Sequence, residues 1–555
     1  MKSLKTILLI LLLSLSCMAK AQQNVVPKYE YRAVWLTAIE NLDWPKSVAT
    51  TPQGFENQRL ELVAILDSLQ AMNVNTVLFQ TRVRGDLTYP SDIEPFSHLF
   101  TGTVGKAPDY DPLAFAVSEC HKRGMQLHAW IVAMPLGKDE HIAMVGKNSL
   151  PHRNRSLCTH YEGAWYMEPG NPATSEHIVS IVREIVSRYD VDGIHLDYIR
   201  YPDRNKGYPD ASLHRRYGKG QSLAKWRRNN ITRIVKDVYT SVKSIKPWVR
   251  VSCATLGKYD NLTRYSSLGW DAYNTGFQEA QQWASDGIVD IIFPMLYFKG
   301  DNFYPFVRDW QENSNGRHIV PGIGAYRLLP EYGGWSELEI KRQLNTSRCA
   351  GTAGAAMFRA NHLLHDARSL YTSLCRTLAL VPPMSWHGTV PSSPDTLTLE
   401  VADSGFALRW NSVKQATGEP AMRYNVYGCE GDGVDTSNPE NLLASMLSDT
   451  TYVWHRSVAD TLSFAVTAVD TYGVESAPIE VVRAFGEVFE KELLLPSFNS
   501  WGNVMEVLDL YGRRLYYGRC ATRVGVRGLH GGYYILNVYD RHGAMIYTRR
   551  FAVGK

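Results

Sequence analysis

From about Tyr31 to about Leu374, short β-rich runs alternate with segments whose apolar residues recur at helical spacing. The runs are Arg32–Ala38, Asn75–Arg82, Met125–Ala133, Gly193–Ile199, Val249–Thr255, Val289–Tyr297, His318–Tyr326 and Gly354–Arg359. Between them, Ile178, Ile181, Val182, Ile185 and Val186 form one apolar stripe; Ile231, Ile234, Val235, Val238, Val242 and Ile245 form another. Eight strands alternating with helices predict an α/β fold, a (β/α)8 TIM barrel over residues 27–376 with enlarged loops. An open doubly wound sheet is the rival. It usually has fewer strands, and no Gly-rich phosphate turn follows the first run.

Past Val381-Pro382-Pro383 the alternation becomes purely β, which predicts all-β accessory domains after the barrel. Ala407-Leu408-Arg409-Trp410, Tyr424-Asn425-Val426-Tyr427 and Leu462–Val469 read as strands separated by Gly, Asn and Asp turns. With Tyr472-Gly473-Val474-Glu475-Ser476 behind them, residues 384–484 resemble a fibronectin type III sandwich. Residues 490–555 read as a separate small β unit, with strands over Val507–Arg513 and Gly528–Leu536 joined by Gly turns. Their order, with the terminal Phe551-Ala552-Val553, resembles the C-terminal sorting domains of type IX secretion, which implies the secretion machinery as a partner. An accessory β-sandwich is the equal alternative.

Residues 1–21 read as a signal peptide. Lys2 and Lys5 precede the apolar run Ile7–Leu13, and Ala19-Lys20-Ala21 is a small-x-small cleavage signal. The expected destination is secreted, periplasmic or at the cell surface. Cys17 offers a competing lipid-attachment reading, with Ser14-Leu15-Ser16 a poor approach to it. Cleavage removes Lys2, Lys5 and Lys20 and no acid, taking the formal charge from +4 to +1. Such a chain lacks the basic footprint of a nucleic-acid partner. No later apolar run is long enough to be a transmembrane segment. The other seven cysteines, Cys120, Cys158, Cys253, Cys349, Cys375, Cys429 and Cys520, are scattered and hold no Cys-x-x-Cys pair, against a zinc knuckle or disulfide framework. No His-x-His follows the first strand, and no metal or other cofactor is expected.

The most informative segment is Asp190–Pro202, which supplies the fourth strand. Side chains alternate along a strand, so Ile194 and Leu196 share one face while Gly193, His195 and Asp197 share the other. The apolar pair suits the helix layer. His195 and Asp197 then point into the barrel, with Asp197 nearer the C-terminal mouth, where active sites on this fold sit. Tyr198, Arg200 and Tyr201 crowd the same strand end. A structural Asp bonding loop amides is the alternative for Asp197, and His195 reads as a neutral core residue. On the second strand Val77 and Phe79 take the apolar face, turning Gln80 and Arg82 inward, with Arg84 and Asp86 just beyond. The planar fork of arginine suits sugar hydroxyls or an anionic substituent. For Asp86, an ion pair that stiffens the loop is the equal alternative. His128 and Trp130 share a parity on the third strand, and Arg359 ends the eighth as a further substrate contact. Trp35, Trp130, Tyr198, Tyr201 and Tyr297 recur near strand ends as candidate stacking platforms for sugar rings.

Six ordered motifs follow one pattern: Tyr31–Thr37, Phe79–Asp86, Tyr110–Leu113, His121–Trp130, Met167–Pro172 and Asp192–Pro202. Together they resemble the glycosyl-hydrolase-like family ten. The resemblance implies a TIM-barrel glycosidase acting on a polysaccharide, with relatives that cleave peptidoglycan glycan strands stripped of their peptides. It puts Asp197 on the family's acidic position after Gly-Ile-His-x. Tyr198 stands where many relatives carry a second Asp, and Met295 where many carry Gln. Glycoside hydrolysis normally needs two carboxyl groups. Asp197 is the choice for acid/base or nucleophile, with Glu168 and Asp86 as leading partners and Glu40 behind them. Glu168 also reads as the shaper of the Glu-Pro-Gly-Asn-Pro turn. The alternative function is a non-catalytic glycan-binding or wall-anchoring protein on an inactive barrel.

Overall fold

The computed structural model describes residues 26–203, 205–266, 269–402, 405–414, 422–430, 433–454, 461–484, 492–495, 503–521, 523–525, 529–530 and 532–553. The expected signal peptide, with Cys17, lies outside the described residues. The chain divides into two compact units, one running to Val390 with 437–440 and 470–474, the other comprising the rest.

Eight parallel strand positions close into a ring in the first unit: Tyr31–Leu36, Thr76–Arg82, Gln126–Val132, Gly193–Asp197, Arg250–Leu256, Ile291–Met295, a divided seventh, and Gly354–Phe358. The first strand pairs with both the second and the eighth, and the fifth with the sixth, so no edge is left. Helices including Pro52–Ala71, Pro112–Lys122, Pro172–Arg188, Leu223–Ile245 and Glu337–Cys349 lie between successive strands. The sequence starts several of them deliberately. Asp111 and Asn171 accept hydrogen bonds from first-turn amides, each with a proline just inside the helix. The architecture is the TIM barrel expected from the alternation.

Two apolar layers follow from strand parity. Tyr31, Ala33, Trp35, Leu78, Trp130, Val132, Ile291, Phe293, Val320 and Ala356 pack inside the ring. Val34, Leu36, Val77, Phe79, Ile131, Ile194 and Leu196 face the helices, where they meet the stripe from Ile178 to Val186. Low in the interior, the ring of His128 occupies the space beside Gly193, where a Cβ would lie 2.6 Å from it. His128 is thus a packing residue of the barrel base, not a substrate contact. Burial, with Arg250 nearby, brings its pKa down to about 3, so it is neutral.

The seventh position departs from the single strand expected over His318–Tyr326. It consists of His318–Ile319 on the sixth strand and Gly322–Gly324 on the eighth. Pro321 between them has no N–H to give to the ladder, and Ala325–Leu328 turns into a 3-10 helix. The second strand carries a second departure. Gln80 pairs with Trp130 but Arg82 pairs with Ile131, so Thr81 is an extra residue and the strand bulges. A one-residue bulge reverses parity. Arg82 therefore turns out of the barrel, where it forms a two-pronged pair with Glu94 (both bonds 2.7 Å) and donates to the carbonyls of Val132 and Ala133. His177 completes this buried cluster at 2.9 Å from Glu94. The expected role of Arg82 in substrate binding is corrected accordingly.

The loop after the third strand contains an element that the periodicity did not reveal, a three-stranded antiparallel sheet of Pro135–Lys138, Ala164–Met167 and Cys158–Tyr161. Its hairpin turns on Glu162 and Gly163, both at positive φ (49° and 74°), the conformation of tight two-residue hairpins.

In the second unit the strands are antiparallel. Leu397–Ala402, Gly405–Trp410 and Thr451–Trp454 form one sheet; Leu442–Leu447, Arg423–Glu430, Thr461–Val469 and Ile479–Ala484 form another. Leu408, Trp410, Tyr424, Val426, Phe464 and Val466 share one core. Farther on, Val504–Asp509, Arg514–Arg519, Gly532–Tyr539 and Met545–Val553 make a four-stranded sheet, with Glu492–Leu494 and Arg523–Gly525 paired separately. None of the seven described cysteines is in a disulfide. Among the described residues no helix is long and apolar enough to cross a membrane.

Two stability predictions follow from these contacts. Gly193→Ala forces a methyl group into the His128 ring and is expected to cost about 1–3 kcal/mol in urea unfolding. Glu94→Gln strands Arg82 without its counter-charge, and a loss of about 3–5 kcal/mol is expected. In the native protein, burial works to raise the Glu94 pKa, but Arg82 and His177 outweigh it and hold it at about 2, below the ordinary 4.5. The stabilisation is therefore complete above the ordinary glutamate range and is lost as pH falls from there through about 2. A variant as stable as the parent across that range would refute the assignment.

Candidate active site

At the C-terminal mouth of the barrel lies a cleft of about 550 Å³. Its floor contains Asp197, the last residue of the fourth strand. Parity delivers the carboxylate inward, and Tyr198 immediately turns the chain away at a φ of 49°, a conformation that non-glycine residues seldom adopt. That turn aims the Tyr198 N–H back at Asp197 Oδ1, 2.6 Å away, while Trp130 Nε1 donates to Oδ2 at 3.1 Å. Arg200 Nη1 lies 3.9 Å from Oδ1. Asp197 is only 4% exposed. Burial raises its pKa above the ordinary aspartate value, with Asp203 adding to the rise; Arg200, the Tyr198 amide and Trp130 pull the other way.

Directly beneath Asp197 lies a neutral hydrogen-bonded chain. Trp35 Nε1 donates to His195 Nε2 at 3.2 Å, which leaves Nδ1–H to donate to Ser252 Oγ at 2.9 Å. Ser252 in turn donates to the Ile194 carbonyl. Burial holds the His195 pKa well below its ordinary value, so the ring is neutral. Trp35, 1% exposed and stacked edge-on with His195, Phe293 and Phe358, belongs to this floor layer and not to the cleft surface. Its expected role as a sugar platform is corrected: the ring lies one layer too deep.

The cleft does bring together Gln80, Arg84, Trp130, Asp197, Tyr198, Arg200, Tyr201, Tyr297 and Arg359. Gln80 uses its amide oxygen to hold the N–H groups of Ala38 and Ile39. Tyr198 is 41% exposed, with the Arg200 guanidinium 4.2 Å above its ring. Tyr201 adjoins the cleft but is fully buried and accepts from Asn230, so its expected role as a stacking platform is corrected. The Tyr297 hydroxyl and Arg200 Nη1 are buried without a hydrogen-bond partner in the protein. Arg359 is tied to the buried Asp43.

Neither expected carboxylate partner lines the cleft. The Glu168 oxygens accept from Thr159 Oγ1 at 2.6 Å and the Gly170 N–H at 2.9 Å, and its carbonyl accepts from Thr174. This is the turn-shaping role, fixed by local geometry that consumes both oxygens. Asp86, 1% exposed, accepts the Arg84 N–H at 2.9 Å and shapes its own loop. The outlying candidate Glu40 is exposed and meets Arg84 at 3.5 Å.

A different acid does line the cleft. Asp203 lines the cleft and accepts from Arg200 Nε at 3.0 Å. One guanidinium thus reaches both carboxylates, which keeps the facing oxygens within roughly 10 Å of each other. Glycosidase pairs span about 5–5.5 Å in retaining and about 6.5–9.5 Å in inverting enzymes. Sequence reasoning passed over Asp203 because it falls in an irregular Tyr-Pro-Asp loop; its i,i+3 spacing from Arg200 was the available signal. Also missed were Trp165 and Tyr166, cleft residues carried by the inserted sheet. Trp165 is fixed by its N–H to Asp139 Oδ1 at 2.8 Å and by Arg155, 4.3 Å over the ring. An indole held at the rim of a cleft suits a sugar face. The arrangement can stack a pyranose, hydrogen-bond its hydroxyls, and present two carboxyl groups to a glycosidic bond.

Residues 30–320 match the family model described as glycosyl hydrolase-like 10. The glycosyl hydrolase YngK of Bacillus subtilis is 29% identical over 445 residues, covering 76% of this chain and 86% of that protein. The glycosyl hydrolase DigH of Escherichia coli is 30% identical over 380 residues, 62% of this chain and 85% of that protein. Among solved structures, the glycoside hydrolase domain of PgaB from Bordetella bronchiseptica superposes with a TM-score of 0.41 at 12% identity, over 62% of this chain and 98% of that one.

Proposed function

Since the chain belongs to the glycosyl hydrolase-like 10 family and is a glycoside hydrolase, we propose that it cleaves the glycan strands of bacterial peptidoglycan, using Asp197 as general acid and Asp203 as the second carboxylate. The observation that carries the mechanism is the shared guanidinium of Arg200 between these two acids at the cleft floor. A general acid must hold its proton near the working pH, and the burial that raises the Asp197 pKa supports that role. Asp203, with its side chain 28% exposed, is reached by water, as a base or a nucleophile awaiting hydrolysis requires. Tyr198 and Trp165 are the stacking platforms.

The peptidoglycan assignment follows from the family resemblance. The leader read in residues 1–21 supports a place outside the cytoplasm. The all-β region after the barrel, with its three- and four-stranded sheets, suits a fibronectin-like spacer followed by a terminal module for sorting or attachment.

Three substitutions test this reading on peptide-free peptidoglycan glycan, with products followed by mass spectrometry. Asp197→Asn is expected to slow polymer cleavage by about 10²–10⁴-fold, yet to spare much of the turnover of an aryl glycoside whose phenol leaves without protonation. Equal losses on both substrates would remove Asp197 from the acid role, and glycan retention without turnover by the parent protein would favour the inactive binding barrel. Asp203→Asn should be slow on both substrates. Trp130→Phe deletes an N–H that favours the ionised Asp197, so its pKa rises further. An acid works only while protonated, and the high-pH limb of the rate profile should therefore move to higher pH. A shift in the opposite direction contradicts the assignment.

A further inference from the structure

Four cations line the cleft: Arg84, Lys138, Arg200 and Arg359. Two are already neutralised at close range. Arg359 is paired with Asp43, whose side chain is 1% exposed, and Arg200 is shared by Asp203 and Asp197. The other two are not. The nearest acid to Arg84 is Glu40 at 3.5 Å, two-thirds exposed, a contact too open to water to hold the arginine. Lys138 is exposed and makes no ion pair among the described residues.

These two cations are neighbours by construction. The loop carrying Arg84 packs on the segment carrying Lys138: a Cβ at Gly85 would come 2.9 Å from the Leu136 side chain. His141 Nε2, from the helix that follows Lys138, lies 3.2 Å from the Arg84 carbonyl. Asp86 fixes the Arg84 N–H at 2.9 Å. The segments under both side chains are therefore braced against each other, and both residues line the cleft. Neutral sugars use cations only weakly. A free carboxylate on the sugar uses an arginine fork and an ammonium fully.

We propose that Arg84 and Lys138 form a subsite for a carboxylate borne by the glycan, namely the free acid of the ether-linked lactyl arm on alternate sugars. This rests on the peptidoglycan reading above and gives it a physical basis. A peptide joined to that acid turns the carboxylate into a neutral amide and adds bulk, so the subsite selects strands whose peptides have been removed.

The test compares peptide-free glycan with the same glycan after carbodiimide coupling of its carboxylates to methylamine. For the native enzyme the KM of the amidated glycan is expected to exceed that of the acid by about tenfold, with a smaller change in kcat. In the double variant Arg84→Gln/Lys138→Gln this ratio should collapse toward one. Because the ratio is internal to each protein, a general loss of folding or activity does not imitate the result. A native ratio near one, or a ratio that persists in the double variant, overturns the subsite. If the native enzyme cleaves neither glycan, the substrate reading fails. The subsite is then decided by calorimetric binding of acid and amidated oligosaccharides to Asp197→Asn protein: tighter binding of the acid supports it, and equal binding overturns it.

Discussion

Asp197 is held as a nearly buried carboxylate at the point where a parallel strand leaves the packed interior of a closed barrel. Burial disfavours its charge, and the surrounding structure is organised around that tension. Below it, the Trp35–His195–Ser252 chain satisfies every polar atom it uses and contributes no charge. A protonated His195 would undo the elevated pKa of the acid above it. Beside Asp197, one indole N–H, one backbone N–H and one guanidinium at 3.9 Å offset only part of the burial. The carboxyl group is thereby held above the ordinary aspartate value, whereas the fully paired Glu94 is held at about 2.

Register decides which side chains share that environment. Gln80 and Arg82 are two residues apart and belong on one face of an ideal strand, yet the extra residue Thr81 sends them to opposite sides. Gln80 stays with the cleft, bracing the loop after the first strand through the amides of Ala38 and Ile39. Arg82 leaves for the helix layer, where Glu94 and His177 lock the second strand to the helix Pro172–Arg188. A bulge thus turns one conspicuous motif into two tasks, one at the site and one in its support.

The parts of the molecule legible in the sequence are those that rest on periodicity. Period-two and period-3.6 patterns located every barrel strand and the inward face of the fourth, because each strand must bury both faces against fixed partners. Features set by register or by loop geometry were not legible. The bulge at Thr81 exists only relative to Trp130 and Ile131 on the next strand. The break in the seventh strand was signalled by Pro321 alone. Among the acids, composition could not separate Glu168, whose oxygens are consumed by a turn, from Asp203, which faces the cleft. Depth was equally hidden. Trp35 and Trp130 both point inward, but only the latter stands high enough in the barrel to reach the cleft and touch Asp197.

The distribution of cations has one further physical logic. An arginine removed from water requires a carboxylate beside it, since an unpaired buried charge is among the costliest features a fold can carry. Arg82, Arg227 and Arg359 obey this rule with Glu94, Asp210 and Asp43. Such pairs are closed: their hydrogen-bonding capacity is already committed to the protein. A cation available to a ligand must therefore stand where water can solvate it in the empty state, which means the rim and not the floor. Arg84 and Lys138 occupy that position, on segments braced from behind by Leu136 and His141. The cleft is thus graded from a neutral aromatic base, through an acid pair sharing one guanidinium, to an open cationic edge.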